Sequence, residues 1–315
     1  MSKTPKQGYT LRTYARLQGE YDQKFYLLLR RIEAELKDLV GKYTGGGSMS
    51  DLVRADQLQQ VRLEAQRMMV QMLQNAGLTV EAGKIAAAAA AIDVSFAYER
   101  VLMESAGISA EALAVYKAGE QRTARLGLEA ARERLLGSSY IPLSDQVWRT
   151  TALASGALDR LIDSALAMGF NAREFANAIA AFANPNAPGG LSYVTMRLAR
   201  TEINNAFHAI QVEKANRTPW VTGVEWNLSG SHPTPDECNE YAEGVHAEGF
   251  EPGVFPTDKV PKKPHPQCMC YMTSEIVDTD KFIDSLLDGS YDRYLDDVMR
   301  SSGFSADFIR KSRLR

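Results

Sequence analysis

Cysteine is scarce in this chain: there are three in 315 residues, and Cys238, Cys268 and Cys270 all fall in one short region. A disulfide framework spreads an even number of cysteines along a chain, so an odd, clustered set points instead to metal binding or local packing. Long apolar runs are missing too. The most apolar stretch, residues 85–94, is mostly alanine and far too short to span a bilayer. The N-terminus, Met1-Ser2-Lys3-Thr4-Pro5-Lys6-Gln7-Gly8, has basic residues with no apolar core behind them. No secretory signal is therefore expected, and the chain reads as a soluble cytoplasmic product that uses no membrane. The net charge is only −3. That excludes a global electrostatic pull toward nucleic acid or acidic lipid and leaves only local patches.

Catalytic signatures are also lacking. His-Glu-x-x-His and a glycine-rich phosphate loop are both absent. So is a Gly-x-Ser-x-Gly elbow. The residues that could serve a hydrolytic zinc site, His232, Asp236, Glu237, Glu240, His246 and His265, share one polar region without a recognisable motif. The reading is that the chain is not an enzyme.

What is present is ordinary folded-protein composition, 45% apolar and 24% charged, with length for two or three compact units. Tyr14, Leu17, Tyr21, Phe25, Leu28, Ile32, Leu36, Leu39 and Tyr43 step by three or four, which places them on one face of a long helix. Gly45-Gly46-Gly47 should stop that helix and Ser50 should cap a second. The second carries Leu52, Leu58, Val61, Met68, Met69, Met72 and Leu73, and Asn75-Ala76-Gly77 should end it. A third should start at Thr79 and run through alanines 86–91 to Met103. Small side chains let another helix approach closely, either within the chain or as a self-association seam. More helices are expected at 109–118, 121–136, 144–168, 171–182 and 193–216. The last should bury Val194, Leu198, Ile203, Phe207 and Ile210. The segment Asn184-Pro185-Asn186-Ala187-Pro188-Gly189-Gly190 breaks the pattern. Residues 220–228 alternate like a half-buried strand, 229–263 read as loops with short strands, and 270–273 as a closing strand. Helices are expected again at 279–287 and 291–308. The fold class is mainly α with a small α+β module near the C-terminal end.

The informative stretch runs from Arg200 to Met272. Cys238, His265, Cys268 and Cys270 supply four thiolate or imidazole ligands, the number and type that structural zinc takes. Such an ion would staple a module too small and polar to hold itself by burial alone. His232 and Asp236 are spare donors. The alternative is that the cysteines are small buried apolar residues. Arg200 and Glu202 lie two apart on a helix and need not pair with each other. Arg200 is either part of a solvated face or a bidentate clamp on a carboxylate such as Asp236. At the chain end, Arg310, Lys311, Arg313 and Arg315 offer a basic tail for DNA or an acidic protein surface, with a smaller patch at Lys259, Lys262 and Lys263.

Together these residues resemble the Mu F-like head morphogenesis domain of tailed-phage minor head proteins. The matching features are Ala199-Arg200-Thr201-Glu202 in a helix, Trp226 in a strand, Asp236 with Cys238, and Pro264 through Cys270. Many relatives have a second cysteine where Tyr241 stands and an arginine where Met269 stands. The missing cysteine leaves His265 as the natural substitute ligand. The resemblance divides the chain into an N-terminal helical region (1–142), connecting helices (143–190), the domain itself (191–278) and C-terminal helices with a basic tail (279–315). It implies a virion protein inside the head near the portal, made in the host cytoplasm. Its partners would be the portal, major capsid or scaffold proteins and packaged DNA, and its role head assembly, genome packaging or DNA delivery. The competing reading is a metal-dependent hydrolase or transferase acting during infection.

Overall fold

The computed structural model describes residues 5–44, 55–168, 174, 177–178, 181–182, 191–230, 232 and 235–312. The expected glycine stop at 45–47, the cap at Ser50, the break at 184–190, most of the 171–182 helix, and Arg313 and Arg315 lie outside the described residues. The chain is mainly helical, with a three-stranded antiparallel sheet near its C-terminal end. Among the described residues five long helices come first: α1 (Pro5–Thr44), α2 (Ala55–Ser105), α3 (Ala110–Leu136), α4 (Leu143–Ala167) and α5 (Leu191–Arg217). The sheet strands are β1 (Val221–Asn227), β2 (Val254–Phe255) and β3 (Tyr271–Ile276), with α6 (Glu237–Glu243) between β1 and β2. Three short helices close the chain: α7 (Thr279–Leu287), α8 (Asp292–Met299) and α9 (Ala306–Lys311). No helix among the described residues is long and apolar enough to cross a membrane.

Two expected helix boundaries, at Asn75-Ala76-Gly77 and between 118 and 121, lie inside continuous helices instead. Asn75-Ala76-Gly77 does not end α2, and Thr79 bonds back to the Asn75 carbonyl at 2.9 Å within it. An interior glycine costs only about 1 kcal/mol. At Gly77 the missing side chain makes room for Val147 of α4, whose Cγ2 would sit 3.3 Å from an added Cβ. Gly119 is likewise interior to a continuous α3, where an added Cβ would fall 2.4 Å from the Val298 carbonyl. Both glycines therefore serve close approach rather than termination. The expected 291–308 helix does break, at Gly303, whose φ of 74° is the left-handed conformation that glycine adopts without strain.

The structure divides into two compact units, each assembled from separated segments. One comprises 18–83 and 141–202. Its core takes Tyr21, Phe25, Ile32, Leu36 and Leu39 from α1 as the spacing requires, but Leu29 is buried where Leu28 was expected. Val61, Met69, Met72 and Leu73 of α2 and Leu158 and Ile162 of α4 complete it. In the part of α5 within this unit Val194 is exposed and Leu198 only partly covered, whereas Ile203, Phe207 and Ile210, which belong to the other unit, are buried as expected.

The other unit comprises 1–17, 84–140 and 203–315. Ala87, Ala88 and Ala91 of the alanine run are buried within the chain. One apolar cluster gathers α3, α7, α8 and α9 around Trp220, which meets Phe282, Tyr291 and Tyr294 edge-on at 5.1–5.3 Å. Beside it lies a buried ionic network. Lys214 pairs with Glu99 at 2.9 Å and Glu120 at 3.4 Å, and donates to the hydroxyls of Tyr116 and Tyr294. Those hydroxyls donate on to Glu99 and Glu120. Burial pulls Lys214 downward in pKa, but Glu120 and Glu99 outweigh it and hold the ammonium well above the usual lysine value. Removing the Lys214 cation takes from buried Glu99 its ion pair and leaves buried Glu120 with Arg217 alone as charged partner among the described residues. Lys214→Met should lower unfolding free energy by about 3–5 kcal/mol in a denaturant titration. Destabilisation below about 1 kcal/mol would show that the network is solvated.

Candidate metal centre

Strand β1 is central in the sheet and pairs antiparallel with β2 and β3, with Trp226 opposite Met272 and Asn227 opposite Tyr271. Cys270 immediately precedes β3, so the sheet register fixes its position. Cys238 is fixed by a helix start. Asp236 caps α6, its Oδ1 accepting from the Cys238 amide at 2.7 Å while Asn239 Oδ1 accepts from the Asp236 amide at 3.1 Å. Cys268 is fixed by its carbonyl, which accepts from Lys263 Nζ at 2.9 Å, Asn204 Nδ2 at 3.0 Å and Tyr14 Oη at 3.4 Å. Gln267, at φ 60°, turns the backbone sharply ahead of it.

These three anchors bring all three cysteines together as fully buried residues. Cys238 Sγ lies 3.5 Å from Cys268 Sγ and 3.8 Å from His265 Nε2. Cys270 Sγ lies 3.9 Å from His232 Nδ1. Two donor triplets result, His232–Cys238–Cys270 and Cys238–His265–Cys268, each with its donor atoms within 4.8 Å of one another. They share Cys238. The four ligands named from the sequence therefore do gather, and His232 joins them. Val212, Val224, Trp226, Phe255, Val260 and Met272 surround the cysteines with apolar side chains.

Charge in the cluster is unevenly shared. Hydrogen bonds from Cys238 and Cys270 hold Cys268 well below the usual thiol range, with Lys263 helping. The same contact with Cys268 pushes Cys238 far up. Cys270 ends above its usual value, since Cys268 and burial outweigh the lowering effect of its bond to Cys238. The Lys263 ammonium is fully enclosed, donating also to the Cys270 carbonyl at 2.7 Å, and burial lowers its pKa against the pull of the thiolates. It is not part of a surface basic patch with Lys259 and Lys262.

Other sequence candidates take different places. Arg200 does not clamp Asp236. It makes a two-pronged pair with Asp22 of α1, both bonds 2.8 Å, because Asp22 stands on the neighbouring helix face of its own unit. Thr201 bonds the Arg197 carbonyl, and buried Glu202 accepts from Gln146 at 3.1 Å. Trp226 packs edge-on against His208 and Tyr241. His246 stacks on Phe255 and bonds the Tyr241 carbonyl. Glu237 and Glu240 are exposed, and no hydrogen bond or ion pair among the described residues joins them to the cysteines. Arg310 is engaged with Asp292 and Asp307, whereas Lys311 is exposed beside Asp307. Lys263 and Asn204 were not anticipated as supports, since nothing local in the sequence marks a lysine or asparagine as inward-facing.

No protein-family model, no curated protein and no solved structure matches the chain. The site therefore rests on its own chemistry: a buried set of thiols and imidazoles able to hold a metal ion.

His208 gives the module an acid limit. Its Nε2 faces the Pro261 carbonyl at 2.8 Å, and burial, aided by Lys263, holds it down at about 3, against 6.5 for a free histidine. Between those values the unfolded chain takes up a proton that the folded chain refuses. Stability should thus fall as pH drops from about 6.5 toward 3. In His208→Gln the slope of stability against pH over that window should be shallower, measured by denaturant titration at several pH values. An unchanged slope would assign the acid sensitivity elsewhere.

Proposed function

We propose that this chain is a minor head protein of a tailed bacteriophage, a structural assembly protein that works at the portal and inner capsid surface. One observation carries the reading: of the residues matching the order of the head morphogenesis domain, Trp226, Cys238, Cys268 and Cys270 share one buried cluster, with Asp236 and His265 at its exposed rim. That arrangement suits a staple. Thiolates and imidazoles in a dry shell favour zinc over magnesium or calcium, which prefer oxygen ligands. Catalytic zinc keeps an open position beside a general base. Here the neighbouring acids Glu237 and Glu240 face solvent, which weighs against the hydrolase or transferase reading. The basic tail is a smaller part of the proposal, with Lys311 as its exposed described charge for packaged DNA or an acidic portal surface.

The test is retention of the full-length chain on preformed portal rings of the same phage. We expect the wild-type protein to elute with the rings and Cys238→Ser/Cys268→Ser, which loosens the cluster, to elute largely free. Wild-type protein that passes intact rings without retention would count against the portal role.

A further inference from the structure

Five donors surround a cluster that a structural zinc ion would fill with four. Cys238, Cys268 and Cys270 account for three places, and either His232 or His265 must take the last. Proximity in sequence favours His265, which stands three residues before Cys268. The hydrogen bonds favour the other ring.

Asn239 Oδ1 already accepts from the Asp236 amide, so it is an acceptor, and His232 Nε2 at 2.9 Å must be the nitrogen that donates to it. Asp236 Oδ1, at 3.4 Å, lies on the same side of the ring. With the proton on Nε2, His232 Nδ1 carries the lone pair, and it is Nδ1 that faces Cys270 Sγ. Metal-ligating histidines are arranged in this way: one nitrogen toward the ion, the other donating to an oxygen that fixes the ring. His265 shows this division less cleanly: its Nδ1 lies 3.0 Å from the Pro266 carbonyl, but its Nε2, which faces Cys238 Sγ at 3.8 Å, is engaged more closely by the Asp236 carboxylate at 3.1 Å. Its side chain is also 41% exposed, against 10% for His232.

Two of the six edges around a single ion are already in place. The ion would have to draw Cys268 toward the His232–Cys238–Cys270 triplet, since Cys268 stands in the other triplet with His265. Bonds of about 2.3 Å to sulfur and 2.0 Å to nitrogen give a tetrahedron with edges of roughly 3.5–3.8 Å. The Cys238–Cys268 contact is 3.5 Å and the Cys270–His232 contact 3.9 Å. Charge fits a single ion. Three thiolates around a divalent cation leave one surplus negative charge, and a buried charge needs a partner. Lys263 supplies it. Its buried ammonium touches the carbonyls of Cys268 and Cys270 and the hydroxyl of Tyr14, and meets no carboxylate among the described residues.

We propose that His232, through Nδ1, completes a closed site with Cys238, Cys268 and Cys270 for a zinc-like divalent cation, oriented by Asn239 and charge-balanced by Lys263, with His265 outside the coordination sphere. This rests on the metal-staple part of the proposed function and refines it. The test is Co²⁺ titration of the full-length, reduced chain, read by thiolate-to-cobalt charge transfer and tetrahedral d–d absorption, followed by displacement with Zn²⁺. The wild type should bind Co²⁺ tetrahedrally, and His265→Ala should bind it with unchanged affinity. His232→Ala should lose more than about 100-fold, beyond the usual effect of removing an outer hydrogen bond, and Asn239→Ala about 10–100-fold. His232→Cys keeps a fourth ligand and guards against mere misfolding; it should restore binding with stronger charge transfer. Retention of Co²⁺ by His232→Ala with loss in His265→Ala would overturn the ligand assignment alone. A folded wild-type chain that takes up no Co²⁺ would overturn the metal staple itself, while leaving the portal test to stand or fall separately.

Discussion

Contact between the sulfurs of Cys238 and Cys268, 3.5 Å apart, joins two loops separated by 30 positions of sequence. On one side is the cap of α6; on the other is the turn that enters β3. The segment between them is rich in glycine, proline and charge, and β2 contributes only two residues to the sheet. Apolar burial here comes chiefly from Val212, Trp226, Phe255 and Met272 around the cysteines themselves. Everything in the module is arranged with respect to this point. Asp236 serves at once as helix cap and as neighbour of both histidines, and Lys263, Asn204 and Tyr14 grip the Cys268 carbonyl from the opposite side. Closely packed thiols are electrostatically awkward without an ion, because ionising one raises the cost of ionising the next. A divalent cation removes that conflict.

The same unit holds a second polar core built on another principle. Lys214, Glu99, Glu120, Tyr116 and Tyr294 satisfy one another completely enough to be buried beside Trp220, with Arg217 reaching Glu120 at 3.2 Å. Such a network contributes less to net stability than apolar residues of equal volume would. It ties four helices together, since α2, α3, α5 and α8 each contribute a partner.

Amphipathic spacing made the helices legible from the residues alone. Tyr21, Phe25, Ile32 and Leu36 occupy the buried face that their three- and four-residue steps require, with the register displaced by one at Leu29. Cysteines were legible because they are rare. Glycine was not, since Gly77 and Gly119 have the same local sequence meaning whether a helix ends there or a remote chain approaches, and the deciding neighbours are Val147 and Val298. Arg200 shows the same limit: its partner Asp22 is 178 positions away. Lys263 looks like a surface charge beside Lys259 and Lys262, and only the folded carbonyls of Cys268 and Cys270 give it a reason to be inside. The choice between His232 and His265 depends on which nitrogen of each ring is already occupied, and that is set by Asn239 and Asp236 in three dimensions.

The proposed assembly role would call for a module that holds its shape against a large partner without a large core of its own, and the proposed metal staple would supply that rigidity. The most direct measurement is hydrogen–deuterium exchange of the full-length protein before and after treatment with a strong zinc chelator. The account predicts that amides of β1 and β3, residues 221–227 and 271–276, lose protection when the ion is withdrawn, while those of α3 remain protected. Protection of both strands that is the same with and without chelator, in protein shown to have carried zinc, would contradict it.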